Sequence, residues 1–231
     1  MNPLWNDLAS GNLTEAQDAA LSRYLDLLVA ANEQMNLTRI TDRAAAQIGH
    51  VGDSLTLLPF LPEGPIRLAD VGSGGGVPGI PLAIARPDAS FTLIESTAKK
   101  AKFLTQAAQS LGLANVKIRA ERAEDAGFGP LRESFDVVTV RAVGVMAWLV
   151  EWCLPLVKVG GTVLAMKGPK LADELPAALR TIRILGGGEP VVHPVKLPGA
   201  DGHVIVAIKK VRKTDLRFPR PATSAKGKPL G

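Results

Sequence analysis

The apolar positions Leu21, Tyr24, Leu25 and Leu28 recur at intervals of three and four residues, which predicts a helix over 15–34 with one buried stripe. Thr14 and Gln17 precede that stripe in the spacing of a capping box, in which each side chain satisfies the other residue's backbone N–H. A second helix is expected over 42–60, ending before Pro62. Residues 1–65 thus form a helical extension. From Ile66 the period changes. Short β-branched runs at 66–71, 90–95, 116–119, 135–141 and 161–167 alternate with helical stretches at 80–86, 98–111, 145–157 and 171–185. Strand–helix alternation of this kind builds a parallel sheet covered on both faces. Two last strands, 190–197 and 203–211, are joined by the turn residues 198–202 and form an antiparallel hairpin. The α/β domain therefore spans 66–211, and 212–231 is a tail. Trp148, Trp152 and Cys153 fall on the apolar helix 145–157 and read as core, Cys153 as a small buried residue rather than a nucleophile.

With 231 residues, 46% of them hydrophobic, the chain has enough apolar side chain for a packed core. A single cysteine excludes an internal disulfide framework and a cysteine-only metal centre. The N-terminal residues lack the charged and apolar regions of a signal peptide, and no apolar run is long enough to span a bilayer. A cytoplasmic protein with no membrane contact and no metal is expected, and nothing in the pattern calls for an obligate dimer, so a monomer is expected too. The charge is uneven. Residues 209–231 hold eight Lys or Arg and one Asp, against 27 and 22 for the whole chain. The tail is therefore +7 and the remainder −2, a distribution that points to a polyanion as partner.

The richest stretch is Asp70-Val-Gly-Ser-Gly-Gly-Gly-Val-Pro-Gly79, between the first strand and the helix after it. In an open parallel sheet this place is the ligand crevice. Glycines there let a ligand approach the backbone, and the helix start presents N–H groups. Gly74, Gly76 and Gly79 reproduce the dinucleotide spacing G-x-G-x-x-G. Two features speak against a pyrophosphate. Asp70 closes the strand with a carboxylate, which repels phosphate and favours a cationic ligand such as S-adenosylmethionine. The matching glycines also begin two residues after Gly72, the first residue past the strand. Glu95 ends the next strand, 25 residues after Asp70, where a ribose-binding acid belongs in either case. Adenosylmethionine is thus favoured, with NAD as the rival.

Other strand ends point to the same crevice. Ala123 and Glu124 follow the third strand, where a small residue and an acceptor suit an adenine ring and its amine. Arg141 ends the fourth strand and Lys167 the fifth, placed to orient a base and its phosphates. Lys99, Lys100 and Arg122 add positive charge nearby. His50 and Asp53, with Ser54 adjacent, lie on one face of the predicted helix 42–60, facing either the substrate or solvent. The chain contains no Asn/Asp-Pro-Pro-Tyr element for exocyclic amines and no Pro-Cys element for attack on a pyrimidine carbon. An acceptor with a ready lone pair, such as guanine N7, needs positioning and a suitable field rather than a base. A small-molecule methyltransferase and a non-catalytic RNA-binding protein are the other rivals. The basic tail argues against the first, the intact Asp70, Gly72 and Gly74 against the second.

Several motifs occur together: Asn36-Leu-Thr38, His50-x-x-Asp53-Ser54, the 70–79 glycine run, Ser96-x-x-Lys99-Lys100, Glu121-Arg-Ala-Glu124, Arg141-Ala142, Met166-Lys-Gly168, and Pro219-Arg-Pro with Lys228-Pro-Leu230. In this combination the chain resembles the bacterial RsmG (GidB) family of small-subunit ribosomal RNA guanine-N7 methyltransferases, over about residues 36–230. The resemblance implies a class I, Rossmann-like methyltransferase fold with a mostly parallel seven-stranded sheet. It implies adenosylmethionine as donor and 16S rRNA, or the small subunit, as substrate, with the target guanine in the decoding-region loop. Carried over by motif, the cofactor residues are Gly72, Val77, Ala123, Glu124 and Arg141, with Asp70, Gly74 and Glu95 added from their place in the fold. His50, Asp53 and Lys167 fall in motifs that line the cleft and are the candidates for a catalytic part, none of them assigned as acid or base. Lys99, Lys100, Arg122, Arg141 and Lys167 are the expected RNA contacts. Val77 departs from the family's commoner Leu or Phe, a change that matters little if the contact is through the backbone.

Overall fold

The computed structural model describes residues 1–142, 144–228 and 230. The chain begins with helices α1 (Pro3–Leu8) and α2 (Glu15–Met35). The Thr14–Gln17 capping box is formed, and the Gln17 amide also donates to the carbonyls of Ile84 and Ala85. The expected helix over 42–60 is broken into pieces. Helix α3 (Arg43–Ala46) runs into a π-helical turn at Gln47–Gly52, then α4 (Asp53–Leu55) and a 3₁₀ turn at Leu58–Phe60. The sheet and its helices follow in the expected alternation: β1 (Arg67–Val71), α5 (Gly79–Ala85), β2 (Ser90–Ile94), α6 (Ala98–Ser110), β3 (Val116–Arg119), α7 (Ala123–Ala126), β4 (Phe135–Arg141), α8 (Met146–Cys153), β5 (Val157–Lys167), α9 (Leu171–Ile184), β6 (Val191–Pro194), β7 (Val204–Lys209) and α10 (Ala222–Gly227). Helix α8 is shorter than the expected 145–157 because Val157 already pairs with Phe135 in the sheet.

The strand order is β3-β2-β1-β4-β5-β7-β6. Strands β1 to β5 pair in parallel, and β7 runs antiparallel between β5 and β6. The order reverses at β1, which lies between β2 and β4, so the carboxyl ends of β1 and β4 open the crevice where ligands bind such sheets. Side chains alternate across the sheet. Ala69, Val71, Val138 and Val140 pack on the α8–α9 side. Leu68 and Val137 pack on the opposite side, with Leu82 and Ala83 of α5. Asp70 shares that second side, because its neighbour Thr139 and the α5 residue Gly79 both bond to it.

The helical extension shares a core with the α/β unit. Leu21, Tyr24, Leu25 and Leu28 of α2 cluster with Ile80, Ile84, Phe103 and Leu104 of α5 and α6. Tyr24 is fully buried, and its hydroxyl donates to the carbonyl of Gly75 at 2.8 Å. The glycine turn is thereby supported from behind by the extension.

The tail is not a free basic appendage, contrary to its composition. Phe218 is buried in the α8–α9 core. Lys210 is buried and donates to the Leu154 carbonyl and the Thr214 hydroxyl, with Glu133 at 3.5 Å. Arg220 forms a two-armed pair with the buried Glu151, Nε to Oε1 and Nη2 to Oε2, each at 2.8 Å. These cations hold the tail to the domain. Pro229 of the tail motif lies outside the described residues.

Tyr24→Phe removes one donor and leaves the buried Gly75 carbonyl short of a partner. Such a loss costs about 1–3 kcal/mol. Urea unfolding should show a lower midpoint with an unchanged slope. An unaltered midpoint would mean that the hydroxyl does not support the turn.

Candidate active site

The turn after β1 is built on strand and helix ends. Gly72 and Gly74 adopt φ of +69° and +55°, the left-handed region that side-chained residues rarely enter. Gly79 opens α5 directly over Asp70. Its N–H donates to Asp70 Oδ2 at 3.3 Å, and a Cβ there would lie 2.9 Å from that oxygen. Thr139 donates to Asp70 Oδ1 at 3.1 Å. Asp70 is fully buried and works beneath the turn, not on the cleft wall. Glu95, 6% exposed, accepts from the Gly74 N–H at 2.9 Å and the Thr97 N–H at 2.7 Å, which ties the end of β2 to the glycine turn.

Two cavities meet at Gly72. The larger, about 980 Å³, is lined by Gly72–Gly75, Val77, Lys100, His50, Arg141 and the 36–40 segment after α2. The smaller, about 180 Å³, is lined by Gly72, Ile94, Glu121–Glu124, Trp152 and Ala222. A third pocket of about 230 Å³ lies beyond Arg141 and is lined by Asp53, Met166, Lys167 and His203.

Arg141 stands between the larger cleft and the third pocket and is held from both sides by the extension. Its Nη1 lies 2.9 Å from Asp53 Oδ2, and its Nη2 is 3.4 Å from His50 Nδ1. On the far side of the imidazole, Nε2 lies 2.8 Å from the Thr38 hydroxyl. A guanidinium only donates, so the Arg141 contact is a hydrogen bond in the tautomer that carries the His50 proton on Nε2, facing the Thr38 hydroxyl. Asp53 is also within 3.4 Å of His203 Nδ1. The π-helical turn sets up this arrangement, since it carries His50 and leads straight into Asp53.

The electrostatics follow from burial. Desolvation pushes the Asp70 carboxyl up to about 6, against the lowering effect of the Ser73 and Thr139 hydroxyls. Burial, and then the Arg141 charge, lowers the His50 imidazole to about 4, so it is neutral at physiological pH. Burial also raises the Cys153 thiol, consistent with an inert core residue.

Most of the sequence candidates converge. Gly72, Gly74, Val77, His50, Arg141 and Lys100 surround the larger cleft, and Ala123 and Glu124 the smaller cavity. Lys167 does not share the larger cleft. Its Nζ pairs with Glu174 at 2.6 Å and donates to the Gly144 carbonyl, so it lines only the third pocket. Arg122 is exposed at the rim, 3.6 Å from Glu124, and Lys99 reaches the Gln34 carbonyl across the gap to α2. Sequence reasoning missed Trp152 and Ala222 as lining residues, and His203 as a partner of Asp53. Helical spacing marked Trp152 as core, and nothing local marks the other two.

The residues present fit adenosylmethionine. A carboxylate under the turn suits a cationic ligand, and the cavity beside Ala123 and Glu124 has both apolar walls and an acceptor, whereas Glu95, bonded to two backbone N–H groups, lines neither cavity. The antiparallel β7, inserted between β5 and β6, also departs from the six-stranded order 3-2-1-4-5-6 of dinucleotide-binding sheets. Among the described residues no helix is long and apolar enough to cross a membrane, and no group of three His, Cys, Asp or Glu is placed to hold a metal.

The sheet order and glycine turn define a class I adenosylmethionine-dependent methyltransferase fold. Solved structures agree. A SAM-dependent methyltransferase from Aquifex aeolicus superposes with a TM-score of 0.56 at 15% identity, covering 76% of this chain and 97% of that one. TYW2 from M. jannaschii, in complex with AdoMet, gives 0.51 at 19% identity over 71% and 77%. At the sequence level, a family model described as rRNA small subunit methyltransferase G (GidB) matches residues 17–199. The ribosomal RNA small subunit methyltransferase G of Lactobacillus johnsonii is 43% identical over 223 residues, 94% of this chain and 93% of the relative. That of Sorangium cellulosum is 54% identical over 168 residues, 72% and 70% of the two chains. The chain therefore belongs to the rRNA small subunit methyltransferase G family.

The two buried titrating groups act on stability with opposite signs. His50, depressed below its unfolded value, contributes stability present above about pH 6.5 and lost as pH falls towards 4. Asp70, raised above its unfolded value, contributes stability present below about pH 4 and lost as pH rises through 6. Asp70→Asn removes the charge and keeps the Gly79 bond through its amide oxygen, while its amide nitrogen donates to a Thr139 hydroxyl that turns to accept. It should raise stability at pH 7 by about 3 kcal/mol, the value of a shift of about two units, and have little effect near pH 4. Urea midpoints across pH 4–7 check this. An equal loss of stability at both ends of the range would show that burial does not penalise the carboxylate.

Proposed function

We propose that this chain transfers the methyl group of S-adenosylmethionine to N7 of one guanine in 16S rRNA, in the decoding-region loop of the small subunit, acting as a cytoplasmic monomer. The observation that carries the acceptor reading is the state of the groups at Arg141. His50 is neutral and its ring lies between Arg141 and the Thr38 hydroxyl, while Asp53 is ion-paired to Arg141. The polar cluster beside the cleft is thus engaged in holding a guanidinium and is not poised to remove a proton. Guanine N7 offers a lone pair without deprotonation, so the site's work is positioning and field.

Bound adenosylmethionine supplies an electrophilic methyl on a sulfonium. The chain's own residues do the rest. Asp70, anionic above about pH 6 and shielded from water, places negative potential beneath the turn and favours a cationic ligand over it. Glu95 is set to accept from ribose hydroxyls, and Gly72, Gly74 and Val77 shape the floor. Ala123 and Glu124 receive the adenine. Arg141, fixed by His50 and Asp53, orients the target base and an adjoining phosphate, with Lys167 beyond it. Lys99, Lys100 and Arg122 lie on the approach and contribute affinity that weakens with salt.

Labelled adenosylmethionine, small-subunit particles from a strain lacking the enzyme, and mass-spectrometric mapping of the modified base test this reading. Label on N7 of one guanine is expected. Label on another base atom would overturn the N7 assignment and leave the donor in place. Arg141→Lys keeps the charge but cannot satisfy Asp53 and His50 together. It should lower kcat by about 100-fold, the scale of an ångström-level misplacement. An unchanged kcat would remove Arg141 from the positioning role.

A further inference from the structure

We infer that the C-terminal segment 218–228 is the outer wall of the pocket that takes the adenine end of the donor, so that donor affinity depends on the tail being docked. This rests on the placement of the nucleoside between Glu95 and Ala123–Glu124 proposed above. The cavity of about 180 Å³ joins the glycine turn at Gly72. Its inner side is Val71, Ile94, Ala123 and Glu124, and its outer side is Trp152 of α8 and Ala222, the first residue of α10. An aromatic ring with a polar amine edge matches that lining, in which apolar faces stand beside the carboxylates of Glu121 and Glu124.

The outer wall is anchored from several directions. Arg220 donates its backbone N–H and Nε to Glu151 Oε1, and Nη2 to Oε2. Glu151 is the neighbour of Trp152 on α8, so the clamp and the lining residue share one helical turn. The Nη1 of Arg220 donates to the Lys228 carbonyl at 2.9 Å, which closes the segment across α10. Arg132 donates to the carbonyls of Phe218 and Gly127, joining the start of the segment to the end of α7. Pro219 packs so closely on Gly127 that a Cβ there would come within 2.9 Å of its ring. Ala225, on the inner face of α10, is fully buried. The tail is therefore seated on α7 and α8, the two elements that flank the adenine position.

Isothermal titration with S-adenosylhomocysteine, which carries the adenine and is not consumed, tests the inference on the full chain. Ala222→Trp projects a large ring into the cavity from a partly exposed position and should weaken binding by about tenfold, with the melting temperature of the free protein unchanged. Arg220→Met releases the clamp and should weaken binding too. Glu95→Ala serves as the control for the nucleoside placement. If Glu95→Ala weakens binding while Ala222→Trp does not, the tail is not a wall of the pocket and the donor placement stands. If neither Glu95→Ala nor Ala222→Trp alters binding, or the unmodified protein binds no adenosylhomocysteine, the donor placement fails and the inference with it.

Discussion

The Asp70 carboxylate lies out of water beneath the glycine turn, held by the Gly79 N–H and the Thr139 hydroxyl rather than by a cation in contact. Removing a carboxylate from water costs several kcal/mol unless hydrogen bonds and charge compensate it. Here the compensation is partial, and the carboxyl is pushed up to about 6. The bonds that lower the cost also fix the architecture. One reaches across to β4, and the other fixes where α5 begins. Because Gly79 sits directly against the carboxylate, the turn must pass over it, and the positive φ values at Gly72 and Gly74 follow from the path that remains. A site that favours a cation is thus bound up with the geometry that shapes the turn.

The extension completes this arrangement on the other side. Tyr24 supports the turn through the Gly75 carbonyl, and the π-helical turn brings His50 and Asp53 to Arg141. Without these partners Arg141 would be a flexible cation at a strand end. With them it is a fixed guanidinium whose charge is matched by one buried carboxylate. The neutral state of His50 is part of the same balance. Burial disfavours the charged imidazole, and the Arg141 charge beside it deepens that preference.

Much of this was legible from the chain, for a physical reason. Buried parallel strands and the helices between them have strong periodicities, so the alternation from 66 to 185 stands out, and a strand ending in Asp before a glycine run marks the crevice. The Thr14–Gln17 cap was readable because it is local. What stayed hidden depends on distant partners. The ring of His203 meets Asp53 across 150 residues, and Arg220 meets Glu151 across 69. Lys167 has the residue type and strand-end position of a cleft cation, yet Glu174 on the following helix draws it away. The break in the helix over 42–60 was equally invisible, since a π-helical turn leaves the apolar pattern nearly unchanged.

Charge composition was the least reliable guide, and the tail shows why. Its Lys and Arg residues read as one basic arm, but Lys210 and Arg220 serve as internal anchors, and Arg217 pairs with Asp215 at 3.0 Å. A cation bonded to a carboxylate releases few counterions on meeting a phosphate, so the arm is a weaker polyanion site than its formal charge suggests. The positive potential that remains nearest the cleft is at its rim, where Arg39 and Lys100 line the opening and Lys99 stands on the same helix as Lys100. In the proposed function these are the charges that would meet an RNA backbone on its way to Arg141. The tail's cations instead bind their own chain and fix α10 beside the cavity that adjoins the glycine turn.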